Sequence, residues 1–194
     1  MSTNNIFLAG VGGQGLVLAT KVIADAANYS GVDVKTNDVV GLSQRGGKVW
    51  GSVKLGKKVY SPNINPGEGD LLLAFEKLEA KRFRHLLKHK DSVVIINDYE
   101  MAPSLVQQEA EEYDEDVIDE MREIASEVVV VDATNESARM GNPQVANILM
   151  LGVCARFLDS ISHDSWVKSI KGNVPEKYLD LNLEAFDKAL NDEF

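Results

Sequence analysis

The chain has 194 residues, 44% of them apolar and 26% charged, which suits one globular domain (residues 1–194) with a full hydrophobic core. Its net charge of -10 and pI near 4.8 disfavour nucleic acid as a partner, because neutralising phosphates needs a basic surface. The one cysteine, Cys154, can form neither an intrachain disulfide nor the four-thiolate shell of an iron–sulfur cluster.

The apolar run 6–9 ends in a glycine-rich turn, Gly10-Val11-Gly12-Gly13-Gln14-Gly15. A helical pattern follows at once, with Leu16, Ala19, Val22, Ile23, Ala26 and Ala27 on one face. Strand, glycine turn and helix open a nucleotide-binding α/β domain. Gly10, Gly12 and Gly15 fit G-x-G-x-x-G, a pattern that presents helix N–H groups to an anion. An NAD site also expects an acidic residue at the end of the second strand. That strand is expected at 32–36, where Asp33 lies at its start and Asp38 past its end, so neither is a clean match. The other reading of the turn is a tight strand–helix corner that binds nothing.

A second glycine-rich segment spans 37–47 and holds Ser43, Gln44, Arg45, Gly46 and Gly47. A guanidinium among glycines can grip a phosphate or carboxylate through two parallel hydrogen bonds, or can tie the loop to a carboxylate of its own chain. Residues 49–55 alternate as a strand, and 58–60 are expected to return as a short hairpin partner. Residues 61–69 read as a loop. The continuous apolar runs 70–75 and 93–97 read as buried parallel strands, with a helix from 76 to about 87 between them. That helix carries Lys81, Arg82, Arg84, His85, Lys88, His89 and Lys90. It reads as a solvated basic face rather than a His85–His89 metal pair, since a third ligand is missing.

Acidic residues crowd 109–123, and a helix is expected at 117–125. Residues 128–132 form the most β-branched strand. A short helix at 134–140 ends at Gly141, and Asn142 with Pro143 suit the cap and first position of the next. That next helix, to about 158, is apolar nearly all round and must be covered by its own core or by another subunit. With Asn147 and Arg156 inside it, and too short for a bilayer, it does not read as a membrane span. Two more helices follow, the last with Leu179, Leu183, Phe186 and Leu190 on one stripe. The alternation implies a three-layer α/β/α fold around a largely parallel, Rossmann-like sheet with a small hairpin. No Ser/His/Asp or Cys/His arrangement is defensible, so the chain offers binding loops and no catalytic set. The absence of a signal-like N-terminus leads to the expectation of a cytoplasmic protein.

The two glycine motifs, in this order and spacing, resemble the gamma-type domain of 2-oxoacid:ferredoxin oxidoreductases. Val59-Tyr60-Ser61-Pro62, residues 70–76, Gly141-Asn142-Pro143, Val174-Pro175-Glu176-Lys177-Tyr178 and residues 181–186 extend the likeness over nearly the whole chain. Within the family, the indolepyruvate:ferredoxin oxidoreductase beta subunits are the most similar. The resemblance implies an accessory subunit of a complex that converts an aryl 2-oxoacid to an acyl-CoA. It places thiamine diphosphate and 4Fe–4S clusters on a larger partner subunit, with electrons leaving to ferredoxin. No cofactor is then held tightly by this chain, and no membrane is involved. Coenzyme A could touch Gly10, Gly12, Gly13, Gln14 and Gly15, or Ser43, Gln44, Arg45, Gly46 and Gly47. An isolated chain could pair with itself. The competing reading is a stand-alone NAD- or FAD-dependent dehydrogenase, against which the missing ribose acid counts.

Overall fold

The computed structural model describes residues 4–40, 47–101 and 116–194, with the main chain alone at 38–40. Its centre is β1 (Asn4–Val11), whose side chains alternate between two cores. Ile6 and Leu8 face one core while Phe7 and Ala9 face the other. β4 (Leu71–Ala74) and β5 (Val93–Asn97) repeat this period of two, with Leu71, Leu73 and Ile95 on the first side and Leu72, Ala74, Val94 and Ile96 on the second. Strands covered on both faces must be apolar throughout, which is why these segments read as uninterrupted runs.

The six strands lie in the order β2-β3-β1-β4-β5-β6, with β2 at Asp33–Val40, β3 at Lys48–Gly56 and β6 at Glu127–Val131. β1, β4, β5 and β6 pair parallel, whereas β3 runs antiparallel to both β1 and β2. The antiparallel element is therefore the β2–β3 pair and not a hairpin between residues 49–55 and 58–60. Val59 instead donates its main-chain N–H to Asp33 Oδ2 at 2.8 Å, so this segment closes the start of β2 without becoming a strand. β2 also runs further than expected, to Val40, because Val40 still has Val49 opposite it.

On one face lie α1 (Leu16–Tyr29), α5 (Ala146–Ala155), α6 (His163–Asn173) and α7 (Leu179–Leu190), and on the other α2 (Lys77–Phe83) and α3 (Val117–Ile124). α4 (Ala133–Arg139) leads into a 3-10 turn at Pro143–Val145. Asn142 Oδ1 accepts from Gln144 N at 3.0 Å, so the expected cap with its following proline is present.

The apolar helix α5 is buried in the core of its own chain. It packs on α7, with further contacts to α1, α4 and β5, and every residue from Asn147 to Ala155 is buried. Gly152 faces Ala189 and the main chain at Phe186, which lets the two helices approach closely. The buried side of α7 is consequently Asn182, Ala185, Phe186 and Ala189, while Leu179, Leu183 and Leu190 are only partly covered. α2 is shorter than expected and passes into a 3-10 turn at Arg84–Leu86. Its cations are engaged within the chain: Lys77 by Asp98 and Glu100, Lys81 and Arg84 by Glu120, and Arg82 by Glu79. Among the described residues no helix is long and apolar enough to cross a membrane.

Candidate functional site

The first glycine loop is held by a side chain within it. Gln14 Oε1 accepts from Val11 N at 2.7 Å, and Gln14 Nε2 donates to Phe75 O at 2.9 Å. Gln14 therefore links the ends of β1 and β4, and its amide is spent on the protein. A Cβ at Gly10 would lie 2.6 Å from Gln14 Oε1 and 3.1 Å from Phe75 Cβ, so this first glycine makes room for that link. Gly13, at φ +105°, borders open space. Gly15, at φ +81°, is the N-cap of α1, and a Cβ there would overlap the Asn147 amide. The start of α1 has neither a side-chain cap nor an acidic residue in its first turn, so its positive end faces outward unneutralised.

The second glycine segment reaches the first. Gly12 N donates to Gly47 O at 2.8 Å, one step beyond the Val11–Lys48 pair of the β1–β3 ladder. Ser43, Gln44, Arg45 and Gly46 lie outside the described residues. Asp33 is turned to other use: it accepts from Val59 N and Lys35 Nζ, which hold its carboxyl below the usual carboxylate range.

Beside the first loop a cavity of about 500 Å³ opens at the C-terminal ends of β1, β4 and β5. This is where the chain order reverses, β1 leading to β3 and β2 on one side and to β4 on the other, the position at which open α/β sheets bind ligands. One wall is Gly13, Gln14, Gly15 and Leu18; the others come from Phe75, Asn97, Tyr99 and Thr134, from residues 142–147, and from Val174, Pro175, Tyr178 and Asn182. Among the described residues no charged side chain lines it. Asn97 braces the floor, donating through Nδ2 to Phe75 O at 3.2 Å and to Thr134 Oγ1 at 2.9 Å, while Oδ1 accepts from Thr134 N. Asn182 Nδ2 donates to Tyr178 O at 2.7 Å. Asn147 is buried, and its Oδ1 has no hydrogen-bond partner.

Following Phe75, Glu76 is buried and caps α2, accepting from Glu79 N at 3.0 Å and from Met101 N at 3.3 Å. Burial pushes the Glu79 carboxyl up, and the charge of Arg82 beside it pulls it partly back. Cys154 is fully buried, and desolvation pushes its thiol up to about 12, so it is an inert part of the core. No group of three or more His, Cys, Asp or Glu among the described residues could hold a metal ion.

The glycines are legible in the sequence, whereas Asn97, Asn147 and Asn182 do not read there as parts of a site. Two signals point to them: Asn97 is the polar end of an apolar strand, and Asn147 is a carboxamide inside an otherwise apolar helix.

The family described as pyruvate ferredoxin/flavodoxin oxidoreductase matches residues 5–191. An indolepyruvate oxidoreductase subunit IorB of Thermococcus kodakarensis is 32% identical over 193 residues, covering 96% of this chain and 94% of its own. Its counterpart in Archaeoglobus fulgidus is also 32% identical, with the same coverage. Among solved structures, the gamma subunit of a keto/oxoacid ferredoxin oxidoreductase from Geobacter sulfurreducens superposes with a TM-score of 0.72 at 23% identity, covering 97% of this chain and 96% of that one. A 2-oxoglutarate:ferredoxin oxidoreductase from Magnetococcus marinus, with 2-oxoglutarate, coenzyme A and succinyl-CoA bound, gives 0.74 at 22% identity, covering 98% of this chain and 31% of that one.

Proposed function

This chain belongs to the pyruvate ferredoxin/flavodoxin oxidoreductase family, and from that footing we propose that it is the small accessory subunit of an indolepyruvate-type 2-oxoacid:ferredoxin oxidoreductase. The observation that carries this reading is the end-to-end likeness to IorB subunits. Cys154 supports one part of this division of labour: a single buried thiol cannot supply the four thiolates that an iron–sulfur cluster normally takes. On the family likeness we place the clusters, thiamine diphosphate and the meeting with ferredoxin on a larger partner. Among the described residues no group of three or more His, Cys, Asp or Glu is placed to hold a cluster.

What this chain supplies is a binding surface in the cytoplasm. Gly12, Gly13 and Gly15 bring main chain and the start of α1 close to an anionic group, and Gly47 joins them through its bond to Gly12. Gly10 and Gln14 hold the loop in shape. Ser43, Gln44, Arg45 and Gly46 add a guanidinium among small and polar residues, suited to a coenzyme A phosphate or to a carboxylate of the partner. The stand-alone dehydrogenase reading is not favoured, since Asp33 is engaged by Val59 and Lys35.

The test is reconstitution with the larger subunit. The complex should oxidise indolepyruvate with coenzyme A and an electron acceptor, and this chain alone should not. Turnover by the isolated chain, or failure of the two chains to associate, overturns the accessory role.

A further inference from the structure

The two outer strands of the sheet are finished differently. β2 carries an exposed Lys35 and Thr36, and its start is closed by the bond from Val59 to Asp33. A lysine on an outer strand is one of the usual guards against pairing with another chain. β6 at the opposite edge reads Glu127-Val128-Val129-Val130-Val131, with neither lysine nor proline. Glu127 N donates to Ser92 O, and Val131 O accepts from Asp98 N. By the alternation of a parallel ladder, Glu127, Val129 and Val131 turn their main-chain groups toward β5, and Val128 and Val130 turn theirs outward. Among the described residues no strand pairs with that outer side. Val128 packs against the core under α2 and α3, whereas Val130, on the same face, is 37% exposed. Glu127 is exposed and has no ion-pair partner among the described residues.

We propose that the outer edge of β6 receives an extended segment of the larger subunit, which adds a strand beside Val128 and Val130 and carries a lysine or arginine near Glu127. A row of open main-chain donors and acceptors is matched by another extended main chain, and the β-branched run suits a pleated neighbour. Charge separates the larger subunit from a second copy of this chain. Each copy has a net charge of -10, and a second one would bring another Glu127 in place of a cation. A strand of five residues also falls far short, by itself, of the roughly 1,200 Å² that a stable interface buries. A larger chain that touches this one elsewhere can use so short a strand as one part of a wider contact. The proposal rests on the accessory-subunit reading given above.

The experiment is amide hydrogen exchange, resolved to single residues, on the full chain alone and in the complex reconstituted with the larger subunit. The Val128 and Val130 amides should exchange freely in the isolated chain and at least about 10-fold more slowly in the complex, while the Val129 amide is protected in both. Val128→Pro and Val130→Pro each remove an outward N–H and no bond to β5, a change that an outer strand tolerates. Each should weaken association about 3- to 10-fold, the equivalent of one hydrogen bond. Glu127→Lys should weaken it as well, with the loss shrinking as salt is raised. If the proline variants fail to fold, the exchange rates of the unaltered chain and the response of Glu127→Lys decide. An assembled, active complex in which Val128 and Val130 still exchange freely overturns this proposal and leaves the accessory role standing. So does protection that folded proline variants do not disturb, or unchanged association of Glu127→Lys. Protection that grows with the concentration of the isolated chain assigns the edge to a second copy and overturns it too. Failure of the two chains to associate overturns the accessory role and this proposal with it.

Discussion

Gly12 donates its main-chain N–H to the carbonyl of Gly47 at 2.8 Å, so the first glycine turn is joined to the end of the second glycine segment. The antiparallel register of β1 and β3 causes this: with Val11 opposite Lys48, the next residues outward are Gly12 and Gly47. A slip of one residue would turn Val49 and Val53 away from the core, and the core enforces the register.

Gly15→Ala should destabilise the chain more than Gly13→Ala. Both residues hold positive φ, a strain of about 1–2 kcal/mol for an L side chain. At Gly13 nothing lies within 4 Å of an added Cβ, whereas at Gly15 the Cβ would overlap the Asn147 amide. Urea unfolding of Gly15→Ala, Asn147→Ala and the double variant should give a coupling in which the second change relieves part of the first. Strict additivity would show that the overlap is absent in solution.

Gly152→Ala should also destabilise, although alanine is the better helix former by about 1 kcal/mol. Its Cβ would come 2.5 Å from Phe186 O and 2.7 Å from Ala189 Cβ. Overpacking costs about 1–3 kcal/mol, and an encounter with main chain falls at the upper end because α7 would have to move away as a unit. The expected net loss is about 2 kcal/mol by chemical denaturation. A gain in stability would mean that α5 and α7 are further apart than described.

Cys154 should not react with a thiol reagent at pH 8 in the folded chain. Its thiol is pushed up to about 12 and is fully buried, so both the thiolate and access to it are missing. In urea the same reagent should label one thiol per chain. Rapid labelling without denaturant would contradict the placement of α5 in the core.

The ion pairs at Glu136 should appear in the acid limb of stability. Lys188 first, and Arg139 second, hold its carboxyl below the ordinary value. A carboxylate lowered in the folded state contributes stability above its unfolded pKa, about 4.3, and loses it as pH falls through the lower folded value. Lys188→Met should therefore lower the Tm near neutral pH, with the gap to the unaltered chain closing below about pH 4. A gap of the same size at pH 3 and pH 7 would show that Lys188 acts through packing alone.

What the sequence determined by itself is local or periodic. The glycine turn after β1, the doubly buried strands β4 and β5, the Asn142–Pro143 start and the all-apolar helix α5 are each specified by a few consecutive residues. Their hydrophobic period reports how many faces are covered. It does not report what covers them. Tertiary structure alone decided that β3 pairs with β2 and β1 rather than with residues 58–60. It also decided that α5 is closed by α7 and that the valine-rich β6 ends the sheet with Val130 exposed. The cavity belongs to the same class. Gly15, Asn97, Asn147 and Asn182 are far apart in the chain, and each alone reads as a turn, a strand end or a polar interruption. They converge because parallel strands end on one edge of the sheet and the following helices begin there.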